Sequence, residues 1–351
     1  MNNIAKIGLK IVGLILLLII FNYIYKILFW EHDLQTHSNI INDIRKVNTN
    51  HSKIIYLGES SNHTLGRNDT DTRKISEMIS SYYPTIKHGE ICQNASHAGI
   101  YYHFLNAISE KSDVKTVIVT MNLRSFDANW IYSNLETPLL KGIILLKNYP
   151  PLFNRFLLSF KGYEIKTDKE REQQFLEEWK KVKLVFPYNF PYTTVRKWDD
   201  EIAKKGFLNQ DGSINQFLTE LACNYVKTYA FQINTETNPR IKDFDAIVSL
   251  SKKRKWNLIF NLLSENIETA DSLVGKELVW LIKQNRDLLV NRYRKKGVMV
   301  IDNLEAVPAT EFVDTNWTTE HYAQKGRRII AKNVALGLRK YYWNSFKNKK
   351  G

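Results

Sequence analysis

The sequence predicts an α/β fold in three layers, in which helices cover both faces of a mainly parallel sheet. Several short apolar runs rich in β-branched residues end in glycine or a polar residue, as buried strands do. Stretches with apolar residues at helical spacing follow these runs. Because the crossovers between parallel strands are usually helices, this alternation favours a sheet that is buried on both faces.

The N-terminal half of the body has a βαβαβ order. In the first predicted helix, Ile75, Met78 and Ile79 repeat at helical spacing, and Pro84 ends the pattern. The strands are predicted at 53–57, 86–92 and 116–121, and the helices at 72–82 and 99–109.

The alternation stops in the middle of the chain and then returns. Residues 128–245 have a mostly helical pattern rich in aromatic residues and lysine, which predicts an inserted lid. Its aromatic rings suit either ordinary core packing or stacking on sugar rings. The α/β domain is therefore assigned to 31–127 and 246–345, followed by a basic tail at 346–351. The later strands are predicted at 256–263 and 298–302, and the helices at 269–295 and 322–341.

Residues 11–30 are predicted to form a transmembrane anchor. The run is almost wholly apolar, and about 20 such residues cross the hydrocarbon core of a bilayer. Lysines precede it and carboxylates follow it, so the positive-inside bias places the tail 1–10 in the cytoplasm. A cleaved signal peptide is the alternative, but no small-residue cleavage pattern follows. We expect a single-pass protein of the inner (cytoplasmic) membrane with an extracytoplasmic or periplasmic body.

The net charge limits the classes of binding partner, and the cysteine content limits the number of disulfide bonds. The net charge of +14 suits anionic lipid headgroups or an anionic polymer, while the predicted topology excludes nucleic acid. Cys92 and Cys223 are the only cysteines, and two buried thiols are favoured over a single bridge. Neither a metal site nor a cofactor is expected.

Polar residues follow the predicted strands, where ligands of parallel sheets bind. Ser60 follows the first strand, Asn94 and Gly99 follow the second, and Asn122 follows the third. His321 lies at the start of the last predicted helix. A serine nucleophile, a histidine base and amide donors are the groups that acyl transfer requires.

These residues resemble the blocks of the SGNH (GDSL-type) hydrolases and their acyltransferase relatives. The resemblance covers 50–127 and 246–340 but not the insertion. In chain order, the Gly-Asp-Ser block is represented by Gly58-Glu59-Ser60-Ser61 with Glu for Asp, the glycine block by 94–99, the asparagine block by Met121-Asn122 and the histidine block by 321–326.

The resemblance implies a flavodoxin-like sheet and assigns roles to four residues. Ser60 would be the nucleophile and His321 the base. Gly99, Asn122 and the N–H of Ser60 would stabilise the oxyanion.

The acid of the triad is left open by the sequence. The family usually has an aspartate three residues before the histidine, and that position is Thr318. Asp314 fits if the loop 315–320 folds back, whereas Glu320 fits only in an irregular loop. A Ser–His dyad without an acid is the third possibility.

The resemblance implies an extracytoplasmic serine-dependent acyl-transfer enzyme, either an esterase or an O-acyltransferase. Its substrate would be a cell-envelope polysaccharide or a small ester. Membrane-anchored relatives commonly work with a multispanning membrane protein that supplies acyl groups. The alternative is a non-catalytic SGNH-like scaffold that binds an envelope polymer or a membrane partner, because Thr318 and Met121 depart from the family pattern.

Overall fold

The sheet confirms the predicted α/β class. A computed structural model describes residues 3–147 and 149–347, so most of the predicted basic tail lies outside the described residues. All neighbouring strands pair in parallel in the order β2-β1-β3-β4-β5, which is the flavodoxin-like order. The strands are β1 (Ile54–Gly58), β2 (His88–Cys92), β3 (Thr116–Met121), β4 (Asn257–Leu262) and β5 (Met299–Asp302).

The α-helices of the described residues alternate with these strands and fill the insertion. In chain order they are α1 (Asn3–Leu28), α2 (Trp30–His37), α3 (Asn39–Thr49), α4 (Ile75–Ser80), α5 (Ala98–Asn106), α6 (Ala128–Ile131), α7 (Glu136–Ile144), α8 (Pro151–Ser159), α9 (Asp168–Lys181), α10 (Val195–Lys205), α11 (Gln216–Tyr229), α12 (Pro239–Arg254), α13 (Ile267–Leu273), α14 (Lys276–Lys295) and α15 (Gln324–Tyr342).

The sheet separates two hydrophobic cores. Successive side chains of a strand point to opposite faces. Ile55 and Leu57 of β1 therefore pack with α3, α5, α12 and α14, whereas Ile54 and Tyr56 pack with α4 and α15. Burial on both faces explains why the central strand β1 is a continuous apolar run in sequence.

Two helical regions differ from the prediction. The predicted helix at 269–295 is divided into α13 and α14 at Gly275, whose φ of +113° is open to glycine but not to most other residues. Helix α3 was not predicted. It packs on β2, where Gly89 leaves room for Val47.

The insertion shares part of the main core. The predicted boundary at 245/246 falls inside α12, which packs against α5, and α11 joins the same hydrophobic cluster. The insertion's aromatic rings pack mainly on one another, with centroids 4.3 Å apart for Phe186 and Phe190 and 4.8 Å apart for Phe190 and Trp198. This arrangement favours lid core over a sugar-stacking platform.

The N-terminal helix is long and apolar enough to span a membrane. Helix α1 begins at Asn3, earlier than the predicted anchor, and none of its residues is buried. A signal sequence would share these properties. Both cysteines are free thiols; Cys223 is buried as predicted, whereas Cys92 is only half-buried.

Candidate active site

The nucleophile candidate lies in a tight turn at the end of β1. Glu59 is extended, and Ser60 begins a short 3₁₀ turn whose Ser61 N–H donates to Glu59 Oε2 at 3.2 Å. A Cβ at Gly58 would lie 2.7 Å from the ring of Tyr56, so this position requires glycine. The turn places the Ser60 hydroxyl at the carboxyl edge of the sheet.

Ser60, His321 and Asp314 form a continuous chain of hydrogen bonds. Ser60 Oγ lies 2.8 Å from His321 Nε2, and His321 Nδ1 lies 2.7 Å from Asp314 Oδ2. The Asp314 carboxylate also accepts a hydrogen bond from the Thr319 hydroxyl. This is the geometry in which a base removes the serine proton and a carboxylate orients the base.

The loop that carries Asp314 folds back, as this alternative requires. Phe312 and Tyr322 form an antiparallel bridge, and Val313 N–H donates to the His321 carbonyl at 2.9 Å. The bridge therefore brings Asp314 within hydrogen-bond distance of His321, although the two are seven residues apart along the chain.

Ser60 has a second acceptor beside it. Its Oγ lies 2.8 Å from Glu59 Oε2 as well as 2.8 Å from His321 Nε2. The hydroxyl has one proton and can donate to only one of them at a time. A neutral His321 can take this proton as a base, whereas a protonated His321 donates to Oγ and turns the hydroxyl towards Glu59.

Glu320, the alternative acid, is turned into the protein interior. Its carboxylate is fully buried and lies 2.6 Å from Arg124 Nη2. Arg124 Nη1 also donates to the Thr318 carbonyl at 2.7 Å. The charge partner of Glu320 is therefore Arg124, and Asp314 is the carboxylate that contacts the imidazole.

A second buried carboxylate lies behind Glu320. Burial raises the pKa of Glu320 to about 7, against the opposing effect of Arg124. Burial and the neighbouring charge of Glu320 raise the pKa of Glu265 well above its usual value. Tyr229 donates a hydrogen bond to Glu265. One arginine thus faces two carboxylates, and at neutral pH the pair retains a proton.

Replacement of Glu320 by glutamine should change how stability depends on pH. The pKa of Glu320 is about 7 in the folded protein and 4.5 as an ordinary value, so folding favours its protonated form. The stability that this group contributes is full below about pH 4.5 and is lost as the pH rises towards 7. Across this window, the free energy of unfolding of the wild type should fall relative to Glu320→Gln. Urea titrations of both proteins at several pH values measure the difference, and parallel curves would contradict the assignment.

The predicted oxyanion donors differ in where they lie. The Ser60 N–H has no protein acceptor among the described residues, and Asn122 lines the cavity beside Ser60. Gly99 is in the first turn of α5, where its N–H donates to His97 Nδ1 at 3.2 Å. The side chain of His97, the N-cap residue of α5, therefore already accepts the Gly99 N–H. This hydrogen bond competes with the predicted role of Gly99 as an oxyanion donor.

The turn after β2 offers another amide in its place. Asn94 and Ala95 line the cavity next to Ser60, and Ala95 has a left-handed φ of +60°. Such a conformation is costly for a residue with a Cβ and is often found at functional sites. Spacing along the sequence could not identify Ala95 as an oxyanion donor, because the resemblance implies a glycine in this role.

The insertion forms one wall of the cavity beside Ser60. The space has a volume of about 320 Å³. Leu135, Glu136 and Leu139 of the insertion face Ser60 and His321 across it, and Arg240 completes this wall. Trp130 of α6 stacks on Arg124, with the guanidinium carbon 4.3 Å from the ring centroid.

A buried ionic network fixes this wall. His97 Nε2 lies 2.9 Å from Glu136 Oε1, and Arg240 pairs with the same carboxylate. Burial and the charge of Arg240 lower the pKa of His97, so the imidazole is neutral at pH 7. Glu136 and Arg240 could not be predicted from the sequence, because both lie far from the motifs along the chain.

A larger cavity adjoins the first one. It has a volume of about 630 Å³, and the two cavities share Asn94, Ala95, Leu135 and Leu139 as lining residues. Its other walls come from 37–40, next to the N-terminal helices, and from α7. Ser60 lines the smaller cavity only, and the larger cavity lies on the other side of the four shared residues.

The fold and the site together define a sheet with a Ser–His–Asp chain at its carboxyl edge. No protein-family model matches the chain, and no curated protein matches it. Solved structures that are similar include a lipase/acylhydrolase from Enterococcus faecalis, with 8% identity, a TM-score of 0.36, and coverage of 86% of this chain and 100% of the other.

Two further structures show the same degree of similarity. An acetylxylan esterase from Geobacillus stearothermophilus has 8% identity and a TM-score of 0.38, over 85% of this chain and 97% of the other. A member of the lipolytic G-D-S-L family from Veillonella parvula has 12% identity and a TM-score of 0.34, over 83% and 99%. Since similarity at this level does not define function, the function is argued from the site itself.

Proposed function

We propose that this protein is a membrane-anchored serine acyl-transfer enzyme whose nucleophile is Ser60. The observation that carries the proposal is the hydrogen-bond chain from Ser60 through His321 to Asp314, with distances of 2.8 and 2.7 Å. Three such groups in series at the edge of a parallel sheet match the requirements of nucleophilic catalysis.

The reaction follows from the positions of these groups. Ser60 Oγ attacks the ester carbonyl while its proton passes to His321 Nε2, and Asp314 stabilises the imidazolium. The Ser60 N–H and Asn122 stabilise the oxyanion, with the turn at Ala95 as a further source of an amide. The tetrahedral intermediate then collapses, His321 returns the proton to the leaving alcohol, and an acyl-serine remains. A second hydroxyl, deprotonated by His321, then attacks the acyl-serine carbonyl. The acyl group passes to that oxygen as the bond to Ser60 Oγ breaks, and His321 returns the proton to Ser60 Oγ.

The two cavities support an O-acyltransferase over a simple esterase. A cavity of about 320 Å³ contains Ser60 and suits a small acyl group, whereas the adjoining space of about 630 Å³ is large enough for a sugar unit. The larger cavity is lined by polar groups, including His63, Gln93 and Asn94, beside leucines. We propose a cell-envelope glycan hydroxyl as the acceptor.

The proposed location follows from α1. This helix would cross the inner (cytoplasmic) membrane once and leave the body on the extracytoplasmic or periplasmic side. An acyl group would then have to be delivered across the membrane, and a multispanning acyl-donor protein is the proposed partner. The lining of the larger cavity by 37–40, close to the anchor, is compatible with such delivery.

Ester turnover with and without an acceptor tests this function. The full chain in detergent is mixed with p-nitrophenyl acetate, and nitrophenol release is followed in the wild type and in Ser60→Ala. We expect a burst in the wild type only, followed by slow turnover that a neutral oligosaccharide accelerates. A burst without acceleration would favour an esterase. The absence of a burst from folded protein would favour the non-catalytic scaffold.

A further inference from the structure

The outward face of α8 in the insertion is apolar. Phe153, Phe156 and Phe160 follow one another at helical spacing around α8, and their exposed fractions are 45%, 57% and 71%. Leu152 lies beside them, and Tyr149 stacks edge-on against Phe153. Large aromatic side chains grouped on one exposed surface mark a contact with another apolar phase.

The inward face of the same helix is polar at its centre. Asn154 is only 7% exposed and accepts a hydrogen bond from the Tyr163 hydroxyl. An ordinary surface helix buries its apolar side and exposes its polar side. In α8, Asn154 takes one of the buried positions while Phe153 and Phe156 remain exposed, so packing within the chain does not account for these two rings.

Helix α8 lies against the predicted membrane anchor. Leu152 N–H donates to Asn22 Oδ1 at 2.9 Å, and Tyr25 and Trp30 line a cavity shared with α8. Asn22 is six residues before the end of α1 at Leu28, or about 9 Å along the helix axis. Interfacial helices bury their apolar face roughly 5–10 Å into the boundary between headgroups and acyl chains. The level of α8 on α1 therefore matches the depth of such a helix.

Basic residues lie close to the aromatic face along the chain. Lys147 and Lys161 lie on either side of α8 in sequence, and Arg155 is exposed on the helix itself. Basic residues near an anionic bilayer are attracted to its surface. The exposed aromatic side chains and the neighbouring basic residues together fit a bilayer that contains anionic phospholipids.

We propose that α8 is a second membrane-contacting element that lies in the interfacial layer of the bilayer. This inference depends on the proposed anchoring by α1, which α8 contacts at Asn22. It also explains how the lid is held. Helix α7, which carries Glu136 and Leu139 into the Ser60 cavity, directly precedes α8, so the bilayer would fix the lid over the site.

Nitroxide labels on the full chain in lipid nanodiscs test this proposal. Single cysteines are introduced as Leu16→Cys on α1, Phe156→Cys on α8 and Leu208→Cys on the body, in a background with Cys92→Ala and Cys223→Ala. Leu16 and Leu208 are matched controls, since they are 55% and 66% exposed. Circular dichroism and thermal unfolding verify the fold of each variant. Power saturation then compares collisions with oxygen, which enters the acyl region, and with a nickel chelate, which remains in water.

We expect the labels at 16 and 156 to collide with oxygen and to be shielded from nickel, and the label at 208 to be open to nickel. A label at 156 as open to nickel as the one at 208, or shielded from both reagents, would overturn the proposal for α8. If the label at 16 is also open to nickel, the anchoring by α1 fails with it. The two failures are thus distinguishable.

Discussion

Replacement of Asp314 by asparagine should lower acyl transfer by about 10⁴-fold while leaving the fold intact. An amide cannot stabilise the imidazolium that forms when His321 accepts the Ser60 proton, and it disturbs the tautomer of the ring. The Asp314 side chain is 31% exposed, so the substitution leaves no deeply buried group unpaired. The rate of nitrophenol release in the first turnover measures the effect.

Glu320→Gln is the matched control for that experiment. Glu320 directly precedes His321 in sequence but pairs with Arg124 rather than with the imidazole. We expect its rate to remain within about tenfold of the wild type, since the Ser–His–Asp chain is untouched. The reverse pattern, with the large loss in Glu320→Gln and a small one in Asp314→Asn, would identify Glu320 as the acid.

Replacement of Arg124 by methionine should destabilise the protein by about 3–5 kcal/mol at pH 8. It removes the positive charge beside the buried carboxylates of Glu320 and Glu265, and a buried charge left without its partner is costly. Both carboxylates would have to be protonated in the folded state. Their raised pKa values make the loss smaller at pH 5 than at pH 8.

Urea unfolding at these two pH values measures the change. Arg196→Met is the control, because Arg196 pairs with Asp200 at 3.7 Å on the surface and its side chain is 62% exposed. Exposed pairs contribute at most about 1 kcal/mol. Equal effects of the two substitutions, or a loss at pH 5 as large as that at pH 8, would contradict the role assigned to Arg124.

The sheet and the positions of Ser60 and His321 could be predicted from the sequence. Buried parallel strands are continuous apolar runs, and their carboxyl ends meet at one edge. Polar residues directly after two such runs, Ser60 and Asn122, therefore line one cavity. The periodic pattern did not identify the break at Gly275, because apolar spacing continues across α13 and α14.

The remaining parts of the site depend on contacts that sequence spacing does not encode. Asp314 reaches His321 only because an antiparallel bridge returns the loop, and the sequence left Glu320 open as an alternative. The lid residues Glu136 and Arg240 meet through the tertiary fold, 104 positions apart along the chain. The aromatic residues of α8 are visible in the sequence. That they face outward is known only from the structure, in which Asn154 takes a buried position and these rings remain exposed.

Covalent labelling with a fluorophosphonate probe tests the central claim most directly. The full chain and its Ser60→Ala, His321→Ala and Glu320→Gln variants are treated in parallel, and thermal unfolding confirms that each is folded. An activated serine predicts labelling of the wild type and of Glu320→Gln, no labelling of Ser60→Ala and strongly reduced labelling of His321→Ala. Equal labelling of Ser60→Ala, or no labelling of the folded wild type, would contradict the assignment of Ser60 as the nucleophile.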